Sequence, residues 1–224
     1  MKRISVFIFS LLVGCIFAFS AQAVVKAKAK VQLPDTIPFY NGFSIGLDLL
    51  PPINTLFGNG FTGSEISLDM DIKHRYFPVI ELGGGTFGSE KDGLSFHMNG
   101  GFGRIGVNRN IFANNQAKFF GYLGGRYGFA SESYDYKGIA TTDGYWNTSR
   151  ITNLMNQTAQ THWVELLAGV RVQIFKQVSL GWIFRYHFRI AQTGSDAGEP
   201  YYVPGYGINN TSGVSMNYSV YYSF

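Results

Sequence analysis

The stretch that decides the fold is VSLGWIFRYHFRI, residues 178–190, in which apolar and polar residues alternate. The apolar row consists of Val178, Leu180, Trp182, Phe184, Tyr186, Phe188 and Ile190. The opposite row includes Ser179, Gly181, Arg185, His187 and Arg189. A period of two is that of a β-strand, whose successive side chains point to opposite faces. The stretch therefore predicts a strand with one apolar face and one face that carries all of its charge.

Eight segments of the chain, this one included, show the same period. They cover residues 39–49, 65–73, 78–87, 95–108, 118–130, 162–174, 178–190 and 212–224. Within the fourth segment the alternation changes phase near Gly100 and Gly101, and we expect a glycine β-bulge there. The chain is therefore predicted to be all-β.

The charged residues of these segments stay on the polar rows. In the second segment all four of them, Glu65, Asp69, Asp71 and Lys73, have the same parity. A soluble sheet carries charge on its outer face because that face meets water. In a transmembrane barrel, by contrast, a charge at the middle of the bilayer costs about 2–4 kcal/mol. The apolar rows therefore predict a lipid-facing surface, and the polar rows point inward.

Long and short connections alternate along the chain. The longer ones are residues 50–64, 88–94, 131–161 and 191–211, and the shorter ones are 74–77, 109–117 and 175–177. This alternation is typical of outer-membrane barrels, whose even strand number leaves both chain ends in the periplasm. Eight strands enclose a space that side chains fill. The predicted fold is an eight-stranded antiparallel transmembrane β-barrel of the outer-membrane type, closed, with a filled lumen and no open pore.

The start of the chain predicts export. A short basic start precedes an apolar run that ends at Phe19, and Ala21-Gln22-Ala23 matches a signal-peptidase site. Residues 12–15 also resemble a lipoprotein box, with Cys15 as the acylated residue. That alternative is weaker because the apolar run continues past the cysteine. The predicted domains are a signal peptide (1–23), a flexible periplasmic leader (24–38) and an outer-membrane barrel (39–224).

The net charge of +4 does not indicate a nucleic-acid partner. Two basic residues lie in the predicted signal peptide and three lysines in the leader, and from Thr36 onward 13 Lys and Arg balance 13 Asp and Glu. No basic face is therefore expected. The lone cysteine lies in the signal peptide, which excludes disulfides and thiolate zinc sites from the mature chain.

The inward rows supply acids and bases in nearly matched numbers. The acids are Asp48, Glu65, Asp69, Asp71, Glu81 and Glu165, and the bases are Lys73, Arg104, Arg126, Arg171, Arg185 and Arg189. Since buried charges must find partners, we expect an ion-pair and hydrogen-bond network that fills the lumen. The alternative is a path for protons or small ions along the same groups, which the narrow bore disfavours.

An enzyme is the main alternative function. A lipid-modifying hydrolase would need a base and a nucleophile near the outer rim, and the candidates are His97 with Ser95, His162 and His187. No histidine pair has a metal-ligand spacing. The sequence therefore predicts neither a metal site nor a cofactor.

The two longest external loops suggest a surface ligand. Residues 131–161 contain Tyr134, Tyr136, Tyr145 and Trp146, and residues 199–206 read EPYYVPGY. Tyrosine among small polar residues suits recognition of a glycan or a protein. The interpretation we favour is a rigid cap over the mouth of the barrel, with aromatic residues at the lipid interface. Pro200 and Pro204 stiffen the loop, which is consistent with either interpretation.

The last segment ends NYSVYYSF, residues 217–224. Its outer row, Tyr218, Val220, Tyr222 and Phe224, resembles the signal by which the barrel assembly machinery recognises a closing strand. We therefore expect this machinery and outer-membrane lipid as partners.

Four stretches resemble a domain-of-unknown-function family of small outer-membrane barrels found in Bacteroidetes. They are FPVIELGGG (77–85), VELLAGVRVQIF (164–175), GWIFRYHFRI (181–190) and GEPYYVPGYG (198–207). The resemblance implies a barrel in the cell envelope and no established biochemical activity. The sequence thus predicts an outer-membrane protein with a structural or surface-interaction role.

Overall fold

The computed structural model describes residues 38–49, 61–91, 93–112, 119–142, 149–194 and 198–224. The predicted signal peptide and all of the predicted leader except its last residue lie outside the described residues. No helix in the described ranges is long and apolar enough to cross a membrane.

Eight long strands close into a barrel. They are β1 (Tyr40–Asp48), β2 (Phe61–Ile72), β3 (Tyr76–Lys91), β4 (Leu94–Asn110), β5 (Phe119–Thr142), β6 (Ser149–Gln173), β7 (Val178–Thr193) and β10 (Ser212–Ser223). Two short strands, β8 (Tyr202–Val203) and β9 (Gly207–Ile208), form a separate hairpin. The order around the barrel is β1-β10-β7-β6-β5-β4-β3-β2, with every neighbouring pair antiparallel. The predicted fold, an all-β closed barrel of the outer-membrane type, is confirmed.

The two faces of each strand differ as the alternation predicts. On β7, Trp182 and Phe184 are exposed, whereas Ile183 and Arg185, which alternate with them, are buried. The exposed charged side chains of the described strands lie near strand ends; they are Glu90, Lys91, Arg109 and Lys137. A wide apolar band therefore surrounds the barrel between two charged ends.

The ends of the barrel have different characters. At the turn end, β2 and β3 are joined by residues 73–75 and β6 and β7 by residues 174–177, and β1 begins where β10 stops. At the loop end lie the longer connections and the extended hairpin of β5 and β6.

Two details of the prediction are wrong. The predicted loop 131–161 is mostly strand, since β5 runs to Thr142 and β6 starts at Ser149. The predicted bulge at Gly100 and Gly101 is absent, because β4 pairs without a register shift with both β3 and β5.

The apparent change of phase in β4 has a chemical cause. Phe96, Met98 and Phe102 all point inward and are buried, on the same face as Arg104. The strand keeps its alternation, but the interior that it faces is apolar near the loop end and charged further down. The apolar residues of β4 therefore lie on the inward row near the loop end and on the outward row further down, although the backbone pairing keeps one register.

Candidate functional site: a charged layer across the barrel

One side chain from each barrel strand contributes to a connected polar layer inside the barrel. In order of the strands from β1 to β10, these are Asp48, Glu65, Glu81, Arg104, Arg126, Glu165, Arg185 and Asn217. We call these eight residues the charged layer. All of them are buried, and their burial follows from the inward parity of each strand.

Arg104 joins three carboxylates. Its Nη1 donates to Glu65 Oε1 and to Glu81 Oε2, both at 2.9 Å, and its Nε lies 3.1 Å from Glu165 Oε1. Its Nη2 donates at 2.7 Å to the carbonyl oxygen of Gly205. This guanidinium therefore ties the charged layer to the connection between β7 and β10.

Arg185 and Arg126 complete the pairing. Arg185 Nη1 donates to Glu165 Oε2 at 2.8 Å, and Arg185 Nη2 donates to Glu81 Oε1 at 3.2 Å. Arg126 Nε donates to Glu81 Oε1 at 3.2 Å. Glu81 thus contacts all three arginines of the layer and is its most connected carboxylate.

Asn217 closes the layer across β10 and β1. Its Oδ1 accepts from Arg185 Nε at 2.8 Å, and its Nδ2 donates to Asp48. A second asparagine, Asn108, accepts from Arg126 Nη2 at 2.8 Å. Both amides stand on the polar rows of their strands, but sequence reasoning followed charges and missed them.

The contribution of such a layer to the free energy of folding depends on whether all of its charged groups are paired and hydrogen-bonded. Removing charges from water is costly, and their attraction offsets this only when the geometry is good and further hydrogen bonds satisfy the remaining groups. Each arginine here has two or more acceptors, and each glutamate has at least two cationic neighbours. The layer is therefore stabilising only as a unit.

The other predicted lumen residues lie elsewhere. Arg171 pairs with Asp69 closer to the turn end, at 2.5 Å between Nη2 and Oδ2. Asp71 pairs with His74 in the turn between β2 and β3, and Lys73 is exposed in the same turn. Lys73 and Asp71 stand outside the charged layer because β2 reaches the mouth of the barrel there.

Arg189 belongs to the loop end. Its Nη1 lies 3.0 Å from Glu199 Oε2 and 2.5 Å from Asn209 Oδ1. It therefore anchors the connection between β7 and β10 and does not join the charged layer.

That connection folds down into the barrel mouth. Residues 198–211, which we call the plug loop, bury Val203, Tyr206 and both prolines. Val203 and Tyr206 form one cluster with Phe102, Ala130 and Trp163 of the barrel wall. The plug loop thus fills the interior directly above the charged layer.

Gly205 lies at the tip of the plug loop. Its φ is +75°, a conformation that glycine adopts freely. A Cβ at this position would also come within 2.5 Å of the Phe102 ring. Both constraints favour glycine where the loop meets Arg104.

The aromatic residues expected to recognise a ligand are mostly used for packing. The Tyr134 hydroxyl donates a hydrogen bond to the carbonyl oxygen of Gly198. The Tyr136 hydroxyl donates to the carbonyl oxygen of Glu199 at 3.1 Å. Tyr202 stacks on Phe87 with centroids 4.4 Å apart. The predicted residues Tyr145 and Trp146 lie outside the described residues. Tyr201 remains exposed, at 47%.

Glu132 is a buried acid at the loop end. It lies above the apolar band, since its outward neighbours Ser131 and Ser133 are exposed and polar. Its Oε1 accepts from Thr161 Oγ1 at 3.0 Å, while its Oε2 has no hydrogen-bond partner among the described residues. Burial raises the pKa of Glu132 to about 7, against the opposing effect of the Thr161 hydrogen bond.

The histidines considered for a hydrolase do not come together. His97 is exposed on the outside of β4, and His162 on the outer face of β6 lies 2.6 Å from the hydroxyl of Tyr127. His187 is buried inside, against the ring of Tyr206. Within the described ranges, no three His, Cys, Asp or Glu side chains are grouped so as to hold a metal ion.

The apolar outside, the charged layer and the plug loop together define the class: a closed eight-stranded barrel of the outer-membrane type. The family described as "Domain of unknown function (DUF6048)" matches residues 4–224, and the chain belongs to this family. The expected membership of a family of unknown function is thus confirmed.

The chain is similar to several solved structures. Neisserial surface protein A matches with a TM-score of 0.47 and 13% identity, over 83% of this chain and 99% of that one. CarO of Acinetobacter baumannii matches with a TM-score of 0.43 and 11% identity, over 86% and 100%. Ail, the attachment invasion locus protein of Yersinia pestis, matches with a TM-score of 0.40 and 7% identity, over 82% and 98%. At these values the likeness concerns the fold alone. No curated protein matches the sequence.

Proposed function

We propose that this chain is an outer-membrane protein of a Gram-negative cell envelope, with a structural or surface-interaction role and no open channel. The observation that carries the proposal is the pairing of an apolar outer band with a sealed, ion-paired interior. An apolar band of this width would be costly in water. A closed barrel can lie in lipid because all of its strands are paired.

The interior argues against transport of solutes. The charged layer spans the bore with a side chain from each strand, and the plug loop covers it from the loop end. A solute would have to displace both. Such an interior suits a rigid support for the loop end better than a conduit.

Export and assembly follow from the same proposal. The predicted signal peptide would direct export, and the outer row of β10 would be read by the barrel assembly machinery. Phe224 stacks on Phe43 of β1 with centroids 4.7 Å apart, and its N–H donates to the carbonyl of Phe43 at 2.9 Å. Tyr222 packs edge-on against Phe224. This row therefore also supports the junction of β1 and β10, where the barrel closes.

The loop end would carry any surface interaction. The plug loop is held rigidly from beneath, and it leaves Tyr201 and Glu199 exposed. A rigid aromatic residue beside a carboxylate suits a glycan or protein ligand. The extended β5 and β6 hairpin stands beside it.

We expect the folded protein to show no steady conductance of porin size in planar lipid bilayers, because the charged layer blocks the bore. A large porin recorded in the same bilayers is the positive control, and heat-modifiable gel mobility checks that the sample is folded. A stable conductance of porin size would mean that the interior is filled with water, and the proposal would be wrong.

A further inference from the structure

Three exposed cations lie close together in the fold at the turn end of the barrel. Lys73 and Arg75 stand in the turn between β2 and β3, and Arg109 stands near the end of β4, the strand that pairs with β3. We call these three residues the basic patch. We propose that the basic patch binds the phosphate of an anionic phospholipid in the adjoining leaflet. The identity of that leaflet rests on the proposed function, under which the turn end faces the periplasm.

Two arginines of the basic patch flank one outward tyrosine. Tyr76 and Arg109 are register partners on β3 and β4, and both are exposed on the outer face. The guanidinium carbon of Arg75 lies 5.7 Å from the centroid of the Tyr76 ring. A tyrosine at the edge of an apolar band places its ring at the level of the lipid head groups. The two arginines therefore stand at the depth of lipid phosphates.

The turn that carries Arg75 is bonded to the end of β4. The N–H of Arg75 donates to the carbonyl oxygen of Ile72 at 3.0 Å, and the carbonyl oxygen of Arg75 accepts from the N–H of Asn110 at 2.9 Å. The side chain of Asn110, the residue after Arg109, also donates to the carbonyl oxygen of His74 at 3.2 Å. The backbone positions of both arginines are thereby fixed, so that a bound phosphate has only their side chains to order.

The charge of the basic patch is not neutralised by the described residues. Neither Arg75 nor Arg109 forms an ion pair within the part of the chain that the structure describes. The acid of the same turn, Asp71, accepts from the backbone N–H of His74 at 2.7 Å and pairs with its ring at 2.5 Å. Arginine binds phosphate through charge-assisted hydrogen bonds that are often bidentate. The basic patch therefore favours a lipid of net negative charge over one whose head group carries its own cation.

The outer surface beside the basic patch has room for an acyl chain. Val107, the next outward residue after Arg109 on β4, pairs with Gly125 of β5. Gly125 pairs in turn with Leu166 of β6. A Cβ at Gly125 would meet only the carbonyl oxygen of Glu165, at 3.8 Å, so the surface is recessed between two exposed apolar side chains. A soluble phosphate would leave this recess uncovered, whereas a phospholipid would occupy the recess and the basic patch together.

The test is native mass spectrometry of the folded protein released from detergent micelles, which counts bound lipids. Phosphatidylglycerol and phosphatidylcholine with the same acyl chains are titrated separately. We expect the first phosphatidylglycerol to bind about fivefold or more tightly than phosphatidylcholine. Arg75→Gln combined with Arg109→Gln should weaken phosphatidylglycerol binding by about tenfold or more and abolish the preference. Lys91→Gln combined with Lys137→Gln removes the same charge at the loop end, and this matched control should bind as the wild type does.

Glycerol phosphate, which carries the phosphate without acyl chains, is added in large excess as a competitor and should leave the lipid bound. Its displacement of the lipid would indicate a site for soluble phosphate and would overturn the proposal. Equal binding of the two lipids by the wild type, or equal losses in the two double variants, would overturn it as well.

Heat-modifiable gel mobility checks that each variant is folded. If the double arginine variant does not fold, Arg109→Gln alone takes its place, and it should weaken phosphatidylglycerol binding by about fivefold. The lipids are supplied in detergent, so the result does not depend on which membrane holds the protein. A failure of this test therefore leaves the proposed function standing.

Discussion

Glu81→Gln should lower the free energy of unfolding by about 3–5 kcal/mol, the usual cost of removing one partner from a buried ion pair. Glu81 faces Arg104, Arg126 and Arg185, and the neutral amide would leave these cations with too little negative charge. Its NH₂ group would also point at arginine donors. Urea unfolding from lipid vesicles, followed by tryptophan fluorescence, measures the change.

Glu199→Gln is the matched control for this substitution. Glu199 also pairs with an arginine, at 3.0 Å, but its side chain is 64% exposed. Exposed pairs contribute about 0–1 kcal/mol. Equal effects of the two substitutions would show that the charged layer does not hold the barrel together.

Leu166→Arg should lower the unfolding free energy by about 2–4 kcal/mol in the same assay. Leu166 points outward from β6 and is 64% exposed, so the introduced charge would face lipid. We also expect less folded protein in the membrane fraction of cells.

Gln160→Arg controls for the charge itself. Gln160 is exposed on the same face of the same strand, beyond the apolar band. There the arginine meets water or lipid head groups, and the cost falls to about 0–1 kcal/mol. If both variants lost stability equally, the outward face would not be a lipid-facing surface.

Period-two alternation predicted the barrel because lipid and lumen impose opposite chemistry on successive residues. Parity alone placed Glu65, Glu81, Arg104 and Arg185 on inward rows, and the structure brings them together. The approach worked for charges because a charged residue has few tolerable positions in such a wall.

The alternation of apolar and polar residues could not identify the inward face of a strand where the interior of the barrel is apolar. Phe96, Met98 and Phe102 point inward because they pack beneath and beside the plug loop. The plug loop has no period of its own, and its burial depends on contacts with distant strands. Sequence reasoning could therefore predict a cap at the mouth of the barrel. It could not predict that this loop enters the barrel and accepts a hydrogen bond from Arg104.

The most direct measurement of the central claim uses Leu166 and Leu167, adjacent residues on opposite faces of β6 and 64% and 4% exposed. Methyl NMR of the unmodified protein in lipid nanodiscs can follow both as a lipid-soluble nitroxide or a water-soluble gadolinium chelate is added. We predict that the nitroxide strongly broadens the methyl signals of Leu166. Neither probe should broaden the methyl signals of Leu167 by more than the weak paramagnetic effect expected for a residue behind the barrel wall. Broadening of Leu167 by the gadolinium chelate would reveal a water-filled lumen, and broadening of Leu166 by the chelate instead of the nitroxide would show that this face does not meet lipid.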